Sequence, residues 1–279
     1  MLDQGLIAKA AAGLEPLPPT VNRLASAIAR DDGGLGEIEE IVALDPVLTG
    51  RVLNAANAAA EARGPQIGTV RSAILRMGSG RVLALALGGP LGRRLRRPMP
   101  GYGLSEGALW RHAVASSFAI ELLHGVSGAP LPTEAFASAL LHDLGQIVLT
   151  QFLDPDLRRL LAEAREDGLS SRAAELEILG VHDGEVGALV AQEWHLPERI
   201  VRAIAFAGTT AGGDDVLFDV VHLSHIVSGR IGEYPGMPTT DLALDPEVLG
   251  RTGIVRSGVD AVLVQLKERL GGALRLYDA

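Results

Sequence analysis

The stretch ALLHDLGQIVLT, residues 139–150, constrains the fold of this chain more than any other segment. Its apolar residues recur at three- and four-residue intervals, which is typical of a helix with one buried face. His142 and Asp143 lie in the middle of that face, and burying such a pair is costly unless it is hydrogen-bonded, ion-paired or bound to a metal ion. The stretch therefore predicts a helix that carries either a functional site or a structural hydrogen-bonded pair. The flanking apolar residues are Leu140, Leu141, Leu144, Ile147 and Val148.

The composition favours helices that pack against helices. Apolar residues make up 47% of the 279 residues and aromatic residues only 4%. Alanine and leucine, which are abundant here, head the helix-propensity scale, whereas β-branched and aromatic residues favour strands. No strand pattern or tandem repeat interrupts the helical spacing. We therefore predict an all-α fold built as a multi-helix bundle.

Charge and cysteine content exclude several classes of protein. The net charge of −9 argues against non-specific nucleic-acid binding, which depends on neutralising phosphates. The chain has no cysteine, which excludes disulfides and thiolate metal sites. The N-terminal sequence does not resemble a signal peptide, and the most apolar segment, residues 82–91, is too short to span a bilayer. We therefore expect a soluble, cytoplasmic protein with no membrane partner.

Proline, glycine and aspartate predict where helices begin and end. Asp45 and Pro46 are typical of a helix N-terminus, with Asp45 as the cap and Pro46 in the first turn. Gly78-Ser79-Gly80 and Leu196-Pro197 predict two further breaks between helices.

A change of composition predicts the division of the chain. Residues 92–107 contain four arginines with several glycines and prolines, which predicts a loop between two helical halves. We accordingly predict an N-terminal helical half over residues 1–98, a second helical half over residues 99–232, and a C-terminal loop and helix over residues 233–279.

Six sequence blocks resemble, in order, those of the HDOD family, the non-catalytic relatives of the HD-domain phosphohydrolases. The resemblance covers about residues 17–206, and one departure is Asn57-Ala58-Ala59, where the family usually has Asn-Ser-Ala. It implies an HD-like helical core over residues 99–232 and a bacterial regulatory protein of signal transduction. The blocks are LPPTVNRLASAI, LDPVLTGRVLNAANAA, TVRSAILRMG, LWRHAVASSFA, SALLHDLGQIVL and EVGALVAQEWHLPERIVRAI.

The resemblance also implies a metal site. Catalytic HD domains gather a histidine from one helix, a His-Asp pair from the next and an aspartate from a late helix around divalent ions, which activate water. At the matching positions this chain has His112, the pair His142 and Asp143, and His225 in place of the late aspartate. These four residues are the predicted ligands of one divalent metal ion.

Other positions depart from the catalytic pattern. The histidine of the family's H-A-E-V-G block is here Asp183, and the paired histidines expected after VRAIAF are Ala207 and Gly208. The catalytic set is therefore incomplete. Asp183 is a weaker candidate ligand, because His182-Asp183 is more simply explained as a helix start with Asp183 as the N-cap.

Structural roles explain some of the histidines equally well. His112 follows Trp110 in an apolar helix, and we favour a hydrogen-bonded core histidine over a ligand there. Asp219, His222 and His225 are spaced so that they lie near one helix face. That face suits a metal ion, but a solvated polar face is the favoured interpretation.

The arginine cluster has two interpretations. Arg93, Arg94, Arg96 and Arg97 can bind nucleotide phosphates, because guanidinium groups match phosphate oxygens. The favoured interpretation is an exposed loop that its arginines keep soluble, given the acidic total charge.

Three functions are consistent with these features. The first is a non-enzymatic HDOD module that passes a signal through contacts with a signalling protein. The second is a metal-dependent phosphohydrolase that uses His112, His142 and Asp143 on a nucleotide or cyclic dinucleotide. The third is a receptor that binds such a nucleotide second messenger on the arginine cluster without cleaving it.

Overall fold

The fold is all-α, as predicted. Within the described ranges the regular structure is helical, apart from one isolated bridge between Met99 and Leu104. A short 3-10 turn at Pro100–Tyr102 lies inside that bridge. The computed structural model describes residues 1–30, 34–58, 66–207, 215–233 and 242–278.

The described ranges contain a succession of helices. In chain order they are α1 Gln4–Ala12, α2 Pro19–Ala29, α3 Leu35–Ala43, α4 Pro46–Ala58, α5 Val70–Met77, α6 Ser79–Leu95, α7 Ala108–Val126, α8 Ala135–Leu141, α9 Leu144–Leu149, α10 Pro155–Glu166, α11 Ser171–Leu179, α12 Asp183–Glu193, α13 Glu198–Phe206, α14 Val216–Arg230, α15 Pro246–Thr252 and α16 Arg256–Asp278.

Two central helices, α6 and α7, organise the packing. Helix α7 packs against α8, α14 and α16, and α6 packs against α2, α4 and α5 of the N-terminal part as well as against α7, α8 and α16. The buried apolar side chains form one continuous core from Ile7 to Leu266. Since α6 joins the N-terminal helices to the rest, the predicted division at residues 98 and 232 stays a prediction.

Several predicted helix ends are confirmed. The Asp45 carboxylate accepts hydrogen bonds from the backbone N–H groups of Val47 and Leu48, both at 3.0 Å, and so caps α4. Helices α5 and α6 meet at Gly78, whose φ of 80° suits a residue without a Cβ. Helices α12 and α13 flank Leu196-Pro197, as the sequence indicates.

The prediction of a single helix through the His-Asp pair is wrong. Helix α8 ends at Leu141 and α9 begins at Leu144, with His142 and Asp143 in a bend between them. Asp143 has a non-helical backbone, with φ −102° and ψ 17°. Local apolar spacing is the same for one helix and for two short helices, so it did not reveal the bend.

Two finer predictions are also wrong. Arg93 and Arg94 belong to the last turn of α6, which continues to Leu95, so the predicted loop begins later than residue 92. The N-cap of α12 is His182, whose Nδ1 accepts from the backbone N–H of Gly184 at 3.1 Å. His182 has the extended backbone of a cap, with φ −114° and ψ 163°, whereas Asp183 is already the first residue of the helix.

A search of the described residues finds no helix with both the length and the apolar character needed to cross a bilayer. This agrees with the absence of a long uninterrupted apolar segment in the sequence.

Candidate metal centre

Three histidines and one aspartate converge in the core. His112 lies in the second turn of α7, His142 and Asp143 in the bend between α8 and α9, and His225 in α14. Their side-chain donor atoms all lie within 4.8 Å of one another. The four residues predicted as ligands are therefore brought together from three separate parts of the chain.

Most separations between the donor atoms suit ligands of one ion. His112 Nε2 lies 3.2 Å from both His142 Nε2 and His225 Nδ1, and the latter two are 2.8 Å apart. Asp143 Oδ2 lies 3.4 Å from the Nε2 atoms of His112 and His142. Ligands about 2.0–2.1 Å from a tetrahedral zinc ion lie about 3.3 Å from one another. The longest separation between donor atoms is the one between His225 and Asp143.

Hydrogen bonds on the far side of His142 fix its tautomer. His142 Nδ1 lies 2.7 Å from the carbonyl oxygen of Ala139. A carbonyl oxygen only accepts, so Nδ1 carries the proton and Nε2 presents a lone pair to the centre of the cluster.

Two serines fix the tautomer of His112 in the same way. The Ser228 hydroxyl donates to the carbonyl oxygen of His225 at 2.9 Å, and its oxygen lies 3.2 Å from His112 Nδ1. With its proton on the carbonyl oxygen of His225, Ser228 accepts from His112 Nδ1–H, and the Nε2 of His112 then presents a lone pair. Ser116 lies 2.7 Å from Ser228, and this hydrogen bond also joins α7 to α14.

The Asp143 carboxylate points toward the same centre as the lone pairs of His112 and His142. Its Oδ2 is buried and accepts no hydrogen bond from the described residues, although two imidazole nitrogens lie 3.4 Å away. With both rings protonated at Nδ1, those nitrogens carry no proton and cannot donate to the carboxylate. Lone pairs that face one another in a buried site are stabilised by a cation between them.

Burial keeps the site in a form suited to a metal ion. It lowers the pKa of His112 and of His225 well below the usual value, so both rings are neutral. It also raises the pKa of Asp143 to about 6. Neutral imidazole and carboxylate are the forms that bind divalent transition metals. The donor set therefore fits one ion such as Zn²⁺, held by His112, His142, Asp143 and His225.

Asp183 stands beside this cluster rather than in it. The Gln146 amide donates to Asp183 Oδ2 at 3.4 Å, and Arg172 Nε lies 3.5 Å from Asp183 Oδ1. Arg172 also donates to the carbonyl oxygen of Ala205 at 2.9 Å. A cationic partner at Asp183 disfavours a second metal ion on that side.

Glu175 extends this polar network and is expected to make the free energy of unfolding depend on pH. Its carboxylate accepts from Asp183 N at 2.7 Å and from the Tyr102 hydroxyl at 2.9 Å. Burial first, and then the charge of Asp183, raise its pKa from 4.5 to about 8, opposed by those hydrogen bonds and by Arg172. The folded state therefore keeps a proton that the unfolded chain releases, so stability falls as pH rises from about 4.5 to about 8.

The slope from this group approaches about 1.4 kcal/mol per pH unit within that window. Urea unfolding between pH 5 and pH 9 measures this slope. The Glu175→Gln variant should show a flatter dependence of the free energy of unfolding on pH, and it should be more stable than wild type at the alkaline end. Glu166→Gln, in an exposed glutamate of α10, is the control. Equal profiles for wild type and Glu175→Gln would contradict the prediction.

The favoured interpretation of the Asp219, His222 and His225 face is wrong. Asp219 is 4% exposed and His222 is 8% exposed, so the face is not solvated. Arg251 makes a bidentate ion pair with Asp219, both bonds at 2.7 Å, and so joins α15 to α14. Of the three, His225 alone belongs to the cluster of donor atoms.

Three residues near the candidate metal site were not predicted from the sequence. Ser116 follows His112 by one helical turn, and Ser228 follows His225 by one turn. A hydroxyl one turn from each expected ligand was a signal available in the sequence. Arg172 carried no such signal, because it reaches the site from α11, remote along the chain from His112 and His225.

The sequence model of the HDOD domain matches residues 14–209, more than half of the chain. An uncharacterized protein of Treponema pallidum (strain Nichols) is 25% identical over 191 residues. That match covers 68% of this chain and 36% of the relative, so the chain corresponds to little more than a third of that protein's length.

Three solved structures share the fold. An HDOD domain protein of unknown function from Geobacter sulfurreducens has a TM-score of 0.68 at 19% identity, covering 99% of this chain and 98% of that one. A candidate signal transduction protein from Marinobacter aquaeolei VT8 has a TM-score of 0.69 at 23% identity, with 96% and 60% covered. A candidate phosphohydrolase from Shewanella amazonensis SB2B has a TM-score of 0.65 at 23% identity, with 98% and 97% covered. At these identities the likeness establishes the fold alone.

Proposed function

The chain belongs to the HDOD family, and we propose that it is a regulatory module of signal transduction that binds one divalent metal ion and does not hydrolyse phosphoesters. The family match and the fold shared with a candidate signal transduction protein support the regulatory half of the proposal. The chemistry of the site supports the other half.

The burial of the ligands is the observation that carries the non-catalytic assignment. His112 is 0% exposed, His142 1% and Asp143 4%. A metal-dependent phosphohydrolase needs a coordination position open to water and to the phosphoester. Of the four ligands, only His225 is partly exposed. Three buried ligands leave little approach for a substrate, whereas closed sites are typical of structural ions.

The surrounding residues also differ from what hydrolysis needs. A second ion would require anionic or neutral donors next to the first, but Asp183 is paired with Arg172 at 3.5 Å. Ala207, at one of the positions where the catalytic pattern has histidine, is buried and apolar; Gly208, at the other, lies outside the described residues. These features favour an ion that holds helices together.

When bound, the ion would tie α7, the bend between α8 and α9, and α14 at one point. Ser116 and Ser228 would keep His112 in the binding tautomer, and Ala139 would do the same for His142. We propose that the rigid bundle so formed acts through contacts with a signalling protein in the bacterial cytoplasm. The lack of cysteine is compatible with that compartment.

An activity assay on the metal-loaded protein tests this function. Protein loaded in turn with Zn²⁺, Mn²⁺ and Mg²⁺ is assayed with bis-p-nitrophenyl phosphate and with cyclic di-GMP. We expect no turnover above that of Asp143→Ala, which lacks the carboxylate ligand. Turnover that scales with bound metal and disappears in Asp143→Ala would establish a phosphohydrolase instead.

A further inference from the structure

A second polar site lies among the N-terminal helices and the C-terminal half of α6. A groove of about 690 Å³ lies between α2, α4 and α6. Its lining includes Arg51 of α4, Arg93 and Arg94 of α6, and Arg96 just after α6. We call it the arginine groove. Its volume lies within the range of about 300–1,000 Å³ that is usual for small-molecule sites.

Arg51 is set into the wall of this groove. Its guanidinium lies against Gly89 of α6, where a Cβ would overlap Arg51 Nη1. Its Nε is buried and donates to no acceptor among the described residues, and no carboxylate in those ranges pairs with the side chain. A glycine therefore makes room for a cation whose buried donor has no acceptor within the described fold.

Arg94 presents a second such donor. Its Nη2 pairs with Glu15 at 3.0 Å, but the Glu15 side chain is 77% exposed, so this pair is weak and easily replaced. Its Nη1 is buried with no acceptor among the described residues. Two arginines from different helices thus line one groove, and the guanidinium group of each has a buried N–H without an acceptor among the described residues.

The chemistry of these donors selects the ligand class. A guanidinium fork matches the oxygens of a phosphate, and such charge-assisted bonds are strong when partly buried. The rest of the lining includes the apolar side chains of Leu17, Val21 and Leu48, and Asp45, whose carboxylate accepts the capping hydrogen bonds of α4. A phosphate on the arginines would leave a base and sugar to pack against that apolar wall.

We propose that the arginine groove binds a phosphate-bearing small molecule of nucleotide size. The phosphate contacts Arg51 and Arg94, and the remainder of the ligand covers the apolar wall. In a chain of net charge −9 a local group of arginines attracts small anions without making the whole surface bind nucleic acid.

The groove is also connected to the other half of the fold. The Arg94 guanidinium lies over the Trp194 ring at 5.5 Å, and that of Arg96 lies over the Trp110 ring at 4.7 Å. Trp110 precedes His112 by two residues on α7. A ligand that repositions these arginines therefore acts on the helix that carries a candidate metal ligand. This connection to signalling rests on the proposed function, whereas the binding itself does not.

Calorimetry with pyrophosphate, GTP and cyclic di-GMP tests the binding. We expect one site, with GTP or cyclic di-GMP bound more tightly than pyrophosphate because the apolar wall adds contacts. Arg51→Gln and Arg94→Gln should each weaken the nucleotide by about tenfold or more, since each removes a charged donor. Gly89→Ala, which displaces Arg51 without removing a charge, should weaken it as well.

The control is Arg159→Gln, which also removes one arginine charge. Arg159 lines a separate groove of about 720 Å³ but is paired with Glu163 at 2.9 Å. The Arg159→Gln protein should bind the nucleotide with the affinity of wild type. Melting curves show which variants stay folded. The proposal is overturned by no heat from any probe at millimolar concentration, by pyrophosphate binding as tightly as the nucleotides, or by equal affinity in the Arg51 and Arg159 variants. The result is independent of the phosphohydrolase assay, so either proposal can fail alone.

Discussion

Adding a chelator to protein loaded with Zn²⁺ is expected to lower its melting temperature by about 10 °C. A ligand at 1,000 times its Kd stabilises the folded state by about 4 kcal/mol. For a chain of this size each kcal/mol corresponds to about 2–4 °C. The physical reason is the cluster itself, where the lone pairs of His112 and His142 and the buried Oδ2 of Asp143 converge.

The effect of Asp143→Asn on the melting temperature is expected to change sign between metal-loaded and metal-free protein. With Zn²⁺ present the variant should melt below wild type, because it loses the anionic ligand. With a chelator present it should melt at or above wild type, because the buried carboxylate that lacks a hydrogen bond at Oδ2 has been replaced by a neutral group. Scanning calorimetry in both buffers measures the crossover.

Metal content provides the matched control. Elemental analysis after Zn²⁺ loading and desalting should give about one ion per chain in wild type and in His222→Gln. His222 is a buried histidine of the same helix as His225, but it lies outside the cluster. A variant of Asp143 that keeps a full equivalent of metal, or one that melts below wild type in both buffers, would falsify the assigned site.

Gly145→Ala is the second change with a large expected effect. Gly145 lies in α9 against the start of α12, and a Cβ there would overlap the carbonyl oxygen of Asp183 and lie 2.8 Å from Gly187 N. Both neighbours are backbone atoms, so relief requires the two helices to move apart. We expect destabilisation by about 3 kcal/mol, although alanine is intrinsically favoured over glycine in a helix by about 1 kcal/mol.

Gly50→Ala is the control for that substitution. Gly50 lies in α4, and a Cβ there would meet nothing within 4 Å. The same change should therefore stabilise the protein slightly, through helix propensity alone. Urea unfolding measures both variants, and a Gly145→Ala protein as stable as Gly50→Ala would show that α9 and α12 do not need this close contact.

The helical architecture was predictable because its signals are local. Prolines, glycines and capping aspartates act within a few residues, so Asp45 placed the start of α4 and Leu196-Pro197 the break before α13. The bend at His142 was not predictable in this way. Two short helices would bury the same apolar residues as one long helix, so the local pattern does not distinguish the two arrangements. The contact between α9 and α12 is seen only in the folded structure.

The residues of the candidate metal site could likewise be predicted from the sequence, whereas the positions of their protons could not. Matching the family's blocks identified His112, His142, Asp143 and His225 as a set. The proton position on His112 depends on Ser228, 116 residues away along the chain, and no spacing rule relates the two.

The all-α fold, many helix boundaries, the family and the four candidate ligands could be predicted from the sequence, because helix periodicity, capping and motif order are read along the chain. The packing of the helices was needed to show that Oδ2 of Asp143 lacks a donor among the described residues, that Arg172 pairs with Asp183, and that Arg51 and Arg94 line one groove. Those facts depend on which helix faces meet, and the distance between side chains far apart in the chain is set by packing of the whole core.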